Sequence, residues 1–151
     1  MLRVANNMGE KGQNTNLASE FYVLSMLHRT GANAFLTLGN KKSVDIIVEK
    51  NGKVFTIDVK GLKDKSIFPL DNWTKKNSKH FLIFVSFKNK IDDCSNTPDV
   101  WIIPANELDK RSKELIYFNP KGNRKGITYS KLKHSCLKYK DKWTYFKKNV
   151  N

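Results

Sequence analysis

The sequence predicts an α/β fold: a mixed central sheet flanked by helices, with a basic C-terminal helix or arm. Three features predict it. An apolar stripe at helical spacing runs through residues 14–31 and ends at a glycine, Asn51-Gly52 sits between two β-branched runs, and HFLIFVSF (80–87) is almost unbroken apolar sequence. One layered domain is the expectation for 151 residues, since the chain is long enough for a real core and short for two.

Each element has its own signal. In NTNLASEFYVLSMLHRTG (14–31), Thr15 or Asn16 is placed to cap a helix and Gly31 to stop it. Leu17, Phe21, Leu24, Leu27 and His28 recur at helical spacing and predict the buried face. Glu20 falls inside that stripe, where a carboxylate needs a partner because an unpaired buried charge is costly. ANAFLTLG (32–39) reads as a short strand. SVDIIVEK (43–50) and KVFTIDVKG (53–61) flank the Asn-Gly pair, the strongest short-range signal for a two-residue type I′ hairpin. SIFPLDNWTKKNSK (66–79) reads as a loop or short helix, and HFLIFVSF as a central strand covered on both faces. DVWIIP (99–104) is a second buried strand, and ANELDKRSKEL (105–115) a brief helix. NPKGNRKG (119–126) reads as a basic loop, and SKLKHSCLKYKDKWTYF (130–146) as a basic helix or an aromatic-studded arm. The domain core is expected over residues 9–104, with a basic extension over 105–151.

Composition narrows the partners. Net charge is +14, from 28 Lys and Arg against 14 Asp and Glu, and residues 121–151 hold ten basic residues and one acid. Such asymmetry points to a polyanion, most often nucleic acid, because each neutralised phosphate releases counterions. Only four of the basic residues are arginine, so backbone contact is expected ahead of base-specific reading; Lys and Asn enrichment also follows from an A+T-rich genome. Cys94 and Cys136 have no paired-ligand spacing, which predicts reduced thiols and no zinc site. No apolar run reaches the ~18 residues of a membrane span, and the polar start lacks a signal-peptide core, so a cytoplasmic protein is expected.

The hairpin carries the chemistry. With a two-residue loop, Lys50 pairs with Lys53 and Ile46 with Ile57, and counting one step further sets Asp45 directly opposite Asp58. Val44, Ile46 and Val48 then share a core face with Phe55, Ile57 and Val59, while Asp45, Asp58 and Lys60 share the other. Opposed like charges destabilise a hairpin; two carboxylates about 5 Å apart repel by roughly 3 kcal/mol at an effective dielectric near 20. A hard divalent cation between them relieves the repulsion, and a lysine beside it suits water activation at a phosphodiester. The competing expectation is two solvated aspartates on an open hairpin face.

Asp45, then Asp58-Val59-Lys60 on the next strand, with Glu20 on a preceding helix, resembles the PD-(D/E)xK nuclease superfamily. GEKGQNTNLASEFYVLSMLHRTGANAF (9–35) is also similar to the opening of archaeal-type Holliday-junction resolvases, although Val44 stands where the superfamily motif has proline. The resemblance implies a restriction-endonuclease-like αβββαβ core and Mg²⁺- or Mn²⁺-dependent hydrolysis of DNA, branched DNA included. It implies Asp45, Asp58 and Glu20 as metal ligands, Lys60 as the catalytic lysine, and a homodimer as the assembly. Lys63, Lys65, Lys75, Lys76, Lys121, Arg124, Lys125, Lys131 and Lys133 are the candidate backbone contacts, and tail aromatics Tyr139, Trp143, Tyr145 and Phe146 suit either base stacking or packing on the sheet. Two alternatives stay open: a nuclease-fold DNA-binding accessory protein without catalysis, and a basic RNA-associated protein without a metal site.

Overall fold

β3 (Lys53–Leu62) is the axis of the protein. In the structure, a computed structural model that describes residues 7–38, 44–71, 73 and 78–147, this ten-residue strand pairs on one side with β2 (Ile46–Lys50) and on the other with β5 (His80–Ser86). β1 (Asn33–Leu36) lies outside β2, and β6 (Asp99–Pro104) outside β5, giving a five-stranded sheet in the order β1-β2-β3-β5-β6. Only the β3–β5 pair is parallel, so the sheet is mixed. The Asn51-Gly52 turn forms as the sequence predicts: both residues have positive φ (50° and 73°), and Lys50 faces Lys53.

The unbroken apolar run of β5 has a simple cause. Phe81, Ile83 and Val85 enter a core under helix α1 (Asn7–Arg29), and Leu82 and Phe84 enter a second core on the opposite face. Every residue of β5 is buried, as a strand covered on both sides requires. α2 (Ala105–Lys110) and α3 (Ser112–Leu115) supply Leu108 and Leu115 to the second core. β4 (Ile67–Pro69), β7 (Tyr117–Asn119) and β8 (Arg124–Thr128) form a separate three-stranded antiparallel sheet, order β4-β8-β7, and α4 (Tyr129–Ser135) adds Leu132. No described helix is long and apolar enough to cross a membrane. Cys94 is exposed, Cys136 is buried, and both are free.

Several expectations need correction. α1 is already helical at Asn7, so Thr15 and Asn16 are not caps but mid-helix residues. Its buried stripe is Thr15, Ser19, Val23 and Leu27, whereas Leu17 and Phe21 are 43% and 55% exposed and His28 is exposed too. Glu20 therefore lies at the margin of the buried face, half-buried, rather than inside it. The cause is close packing on β3: a Cβ at Gly61 would stand 2.9 Å from Ser19 Cβ and 3.2 Å from the Thr15 carbonyl oxygen, so only small side chains fit there. Large apolar residues therefore cannot mark the Thr15–Ser19 half of the stripe, and a count of them finds only its Leu27 end.

The segment 66–79, read as a loop or short helix, contains β4, and none of its described residues is helical. The loop read at 119–126 is the β7–β8 turn with parts of both strands. Strands of three to five residues are too short to display clear alternation, and Pro, Gly and Lys mask what is there. The tail is neither one helix nor a free arm: α4 has seven residues, and two 3₁₀ turns follow, Leu137–Tyr139 and Trp143–Tyr145. Its aromatics pack. Tyr139 and Phe146 are buried, and the Phe146 ring stands 4.9 Å from that of Phe81, so these two are not available to stack on bases.

Candidate active site

The β2–β3 ladder follows the predicted register from Lys50↔Lys53 to Ile46↔Ile57, and then breaks. Asp45 is not paired with Asp58. Its N–H donates to the Ile57 carbonyl (2.8 Å), the residue Ile46 already faces, so two residues of one strand oppose one of the other. That is the signature of a β-bulge, a device that re-aims a side chain and ends pairing. Beyond it, Thr37 Oγ1 donates to the Val44 carbonyl (2.5 Å), drawing the chain toward β1. The Val59 N–H of β3 is taken instead by the Asp45 carboxylate, at 2.7 Å from Oδ2. The directly opposed pair expected from counting is thus replaced by a bulged one, with Asp45 folded back onto β3.

The two carboxylates nevertheless meet. Asp58 shares its sheet face with Leu82 and Phe84 of the second core and is only 8% exposed, which excludes a solvated hairpin face for it. Burial pushes its pKa from 3.8 up to about 6; Lys60 pulls it down, through an ion pair with Nζ 3.0 Å from Oδ1, and Asp45, close enough to share a hydrogen bond, pushes it up again. Glu20 feels the same cluster. Its pKa is raised first by burial, then by the charges of Asp45 and Asp58. The close packing at Gly61 is what carries Glu20 to this place, since Ser19 is its neighbour and Ser19 sits against β3.

Asp45, Asp58, Lys60 and Glu20 line one cleft of about 400 Å³, and all four sequence candidates are brought together. Sequence reasoning missed two polar side chains that line the same cleft, Asn16 and Asp71. Asn16 was read only as a cap; once the helix extends to Asn7, its position one turn before Glu20 shows its direction. Asp71 follows β4, whose existence the sequence hides, and its Oδ1 accepts from the Lys125 N–H (2.9 Å).

The donor chemistry fits a hard divalent cation. The cleft offers carboxylate oxygens, two of them in mutual contact and held at a cost that a positive charge removes. Among the described residues, no group of three His, Cys, Asp or Glu is placed to hold a metal ion, so Glu20 does not stand as a third ligand beside Asp45 and Asp58. The fit therefore rests on the Asp45–Asp58 pair, with Glu20 in their field and Lys60 supplying the only cation seen against Asp58 among the described residues.

The basic candidates divide. Lys63 borders the groove that continues from the cleft along Gly12, Thr15 and Asn16, and Lys65 is exposed beyond it. Lys121, Arg124 and Lys125 are exposed on the β7–β8 hairpin. Lys131 and Lys133 ride on α4, whose main contacts are β8, α3 and the first 3₁₀ turn, away from the strands that carry the acids. Lys75 and Lys76 lie outside the described residues. No protein-family model matches the chain, and no curated protein matches it significantly.

Proposed function

We propose that the chain is a metal-dependent endonuclease of the PD-(D/E)xK type that hydrolyses DNA phosphodiesters, built on a restriction-endonuclease-like arrangement of α1, β1–β3, β5 and β6. The observation that carries this reading is the bulge at Asp45, which turns one carboxylate onto a second, desolvated one with a lysine ammonium 3.0 Å away. Structural aspartates have no need of such an arrangement. Asp45 and Asp58 would hold Mg²⁺ or Mn²⁺, and Glu20 would assist. The ion, when bound, supplies Lewis-acid activation of water and charge neutralisation at the phosphate.

The chain's own residues do the rest. Lys60 is held at the rim by Asp58 at 3.0 Å; with Asp58 holding a divalent cation, the Lys60 Nζ would be placed to orient the attacking water or to face a phosphate oxygen. Asp58, with a pKa near 6, sheds its proton close to neutrality, so the cleft is ready for a cation at the pH where it would work. The surplus of +14 supplies the attraction for a polyanion.

The test is cleavage of supercoiled and branched DNA with Mg²⁺ or Mn²⁺, wild type against Asp58→Asn and Lys60→Met. Removing groups that each supply several kcal/mol of transition-state stabilisation should lower the rate by about 10²–10³-fold. A wild type that shifts DNA on a gel yet cuts none with either metal would leave a binding protein, in which the Lys60–Asp58 ion pair is a permanent feature.

A further inference from the structure

The three-stranded sheet turns one face to the second core, through Phe68 and Ile127, and the other outward. Register fixes what the outward face carries. Pro69, Gly126 and Tyr117 form one row across the strands, and Arg124 faces Asn119 in the next. Gly126 adds no side chain to the middle of the first row, so the Ile67 side chain lies across it as the floor of a cavity between the Pro69 and Tyr117 rings. The approach is close: a Cβ at Gly126 would stand 2.7 Å from Ile67 Cδ1 and 2.8 Å from the Phe68 carbonyl oxygen. The cavity measures about 210 Å³, with Pro69, Tyr117 and Asn119 as its walls and Asp71, Arg124 and Lys125 at its charged rim; the Asp71 carboxylate is already engaged by the Lys125 N–H. Tyr117 is 55% and Ile67 37% exposed, an apolar patch left in water beside two cations, Arg124 and Lys125, and one acid, Asp71.

This combination selects its ligand by chemistry. An aromatic ring and apolar walls suit a flat ring, and the adjacent guanidinium suits a negative charge attached to it; a nucleobase on its phosphate backbone has both. Intact duplex hides the faces of its bases in the stack, so only an unpaired or extruded base can lie against Tyr117. The slot is also next to the acids. Pro69 and Asp71 line both this cavity and the cleft that holds Asp45 and Asp58.

We propose that the Tyr117 slot holds an unpaired base of the substrate, with Arg124 and Lys121 on the flanking phosphates. The substrate class is then DNA with a single-stranded segment beside the scissile bond, such as a fork or flap, rather than unbroken duplex. The chemistry at that bond rests on the nuclease reading above, but base capture does not, and the two fail separately.

Binding is therefore measured without any metal, in EDTA, by fluorescence anisotropy of the full chain on a labelled fork and on a blunt duplex of equal length. Wild type should hold the fork about tenfold more tightly, as one base–aromatic stack implies. Tyr117→Ala should remove most of that preference while leaving duplex affinity within twofold, and Tyr117→Phe should restore it; the exposed position lets both variants fold, which circular dichroism checks. Arg124→Ala should weaken both ligands and flatten the salt dependence. Equal wild-type affinity for fork and duplex overturns the proposal, and so does a Tyr117→Ala variant that binds the fork as wild type does or loses both ligands alike. A protein that prefers forks through Tyr117 yet cuts nothing with Mg²⁺ keeps this inference and loses the nuclease.

Discussion

The two ends of the β2–β3 hairpin are built from the same pair of strands and obey different rules. At the turn, Lys50 faces Lys53, Asn51 and Gly52 take the positive φ that a type I′ turn demands, and local propensity and structure agree. At the open end the ladder slips by one, a backbone N–H is surrendered to a carboxylate, and two acids are pressed together in a desolvated corner. The first end is what a hairpin does when nothing else is asked of it. The second end departs from regular pairing at the residues with chemical capacity, and such departures concentrate where a protein works.

The sharpest way to break this contrast is to separate the two tasks of Asp45. As a carboxylate it would hold a cation; as an acceptor it satisfies Val59 N–H. Asp45→Asn keeps an oxygen for that N–H and removes the charge. It should melt within about 1 kcal/mol of wild type and lose about 10²–10³-fold in Mg²⁺-dependent cleavage. Asp45→Ala should lose the same activity and also about 1–3 kcal/mol of stability, since a largely buried N–H is left unpaired. If the Asn variant cuts DNA as well as wild type, the acceptor role is the whole role and the bulge is structural.

The acidic pair should also show in the pH dependence of stability. Asp58 has a folded pKa of about 6 against 3.8 unfolded, so between those values the folded state binds the extra proton. Its contribution is present in full below pH 4 and is lost as pH rises through 6, a fall on the order of 2 kcal/mol. Thermal melts in EDTA from pH 4 to 7.5 should show wild type losing stability relative to Asp58→Asn across that window, and Mg²⁺ should restore part of the loss near neutrality. A difference between the two proteins that does not vary with pH would mean that Asp58 is not held in the desolvated state described.

Much of this was legible beforehand, and what was missed has physical reasons. The hairpin, β5 and β6 announce themselves through turn chemistry and apolar runs, and Asp45, Asp58, Lys60 and Glu20 were all marked as candidates and share one cleft. The bulge was not legible, because counting outward from a turn assumes that regular pairing persists, and no residue type declares where it stops. The buried face of α1 was misplaced by about one residue because Thr15 and Ser19, chosen for small size against Gly61, do not register as apolar. Gly61 does not end β3, which runs on to Leu62; the glycine is where α1 comes close to the strand. The second sheet escaped notice because its strands are short, and with it went Tyr117, Asp71 and the outward slot.

The smallest effect tests the quiet end of the hairpin. Gly52 has φ 73° and open space around its missing Cβ, so Gly52→Ala meets only backbone strain, about 1 kcal/mol in the left-handed region. Gly61→Ala, on the same strand, meets Ser19 and the Thr15 carbonyl and must push α1, and Glu20 with it, away from the cleft. Thermal melts paired with cleavage rates should therefore show Gly52→Ala slightly less stable and fully active per folded molecule, and Gly61→Ala, an over-packed contact, less stable by about 1–3 kcal/mol and slower as well. Were Gly52→Ala to slow cleavage as much as Gly61→Ala does, the turn and the acids would be one coupled unit, and the division between a passive and a working end of this hairpin would be wrong.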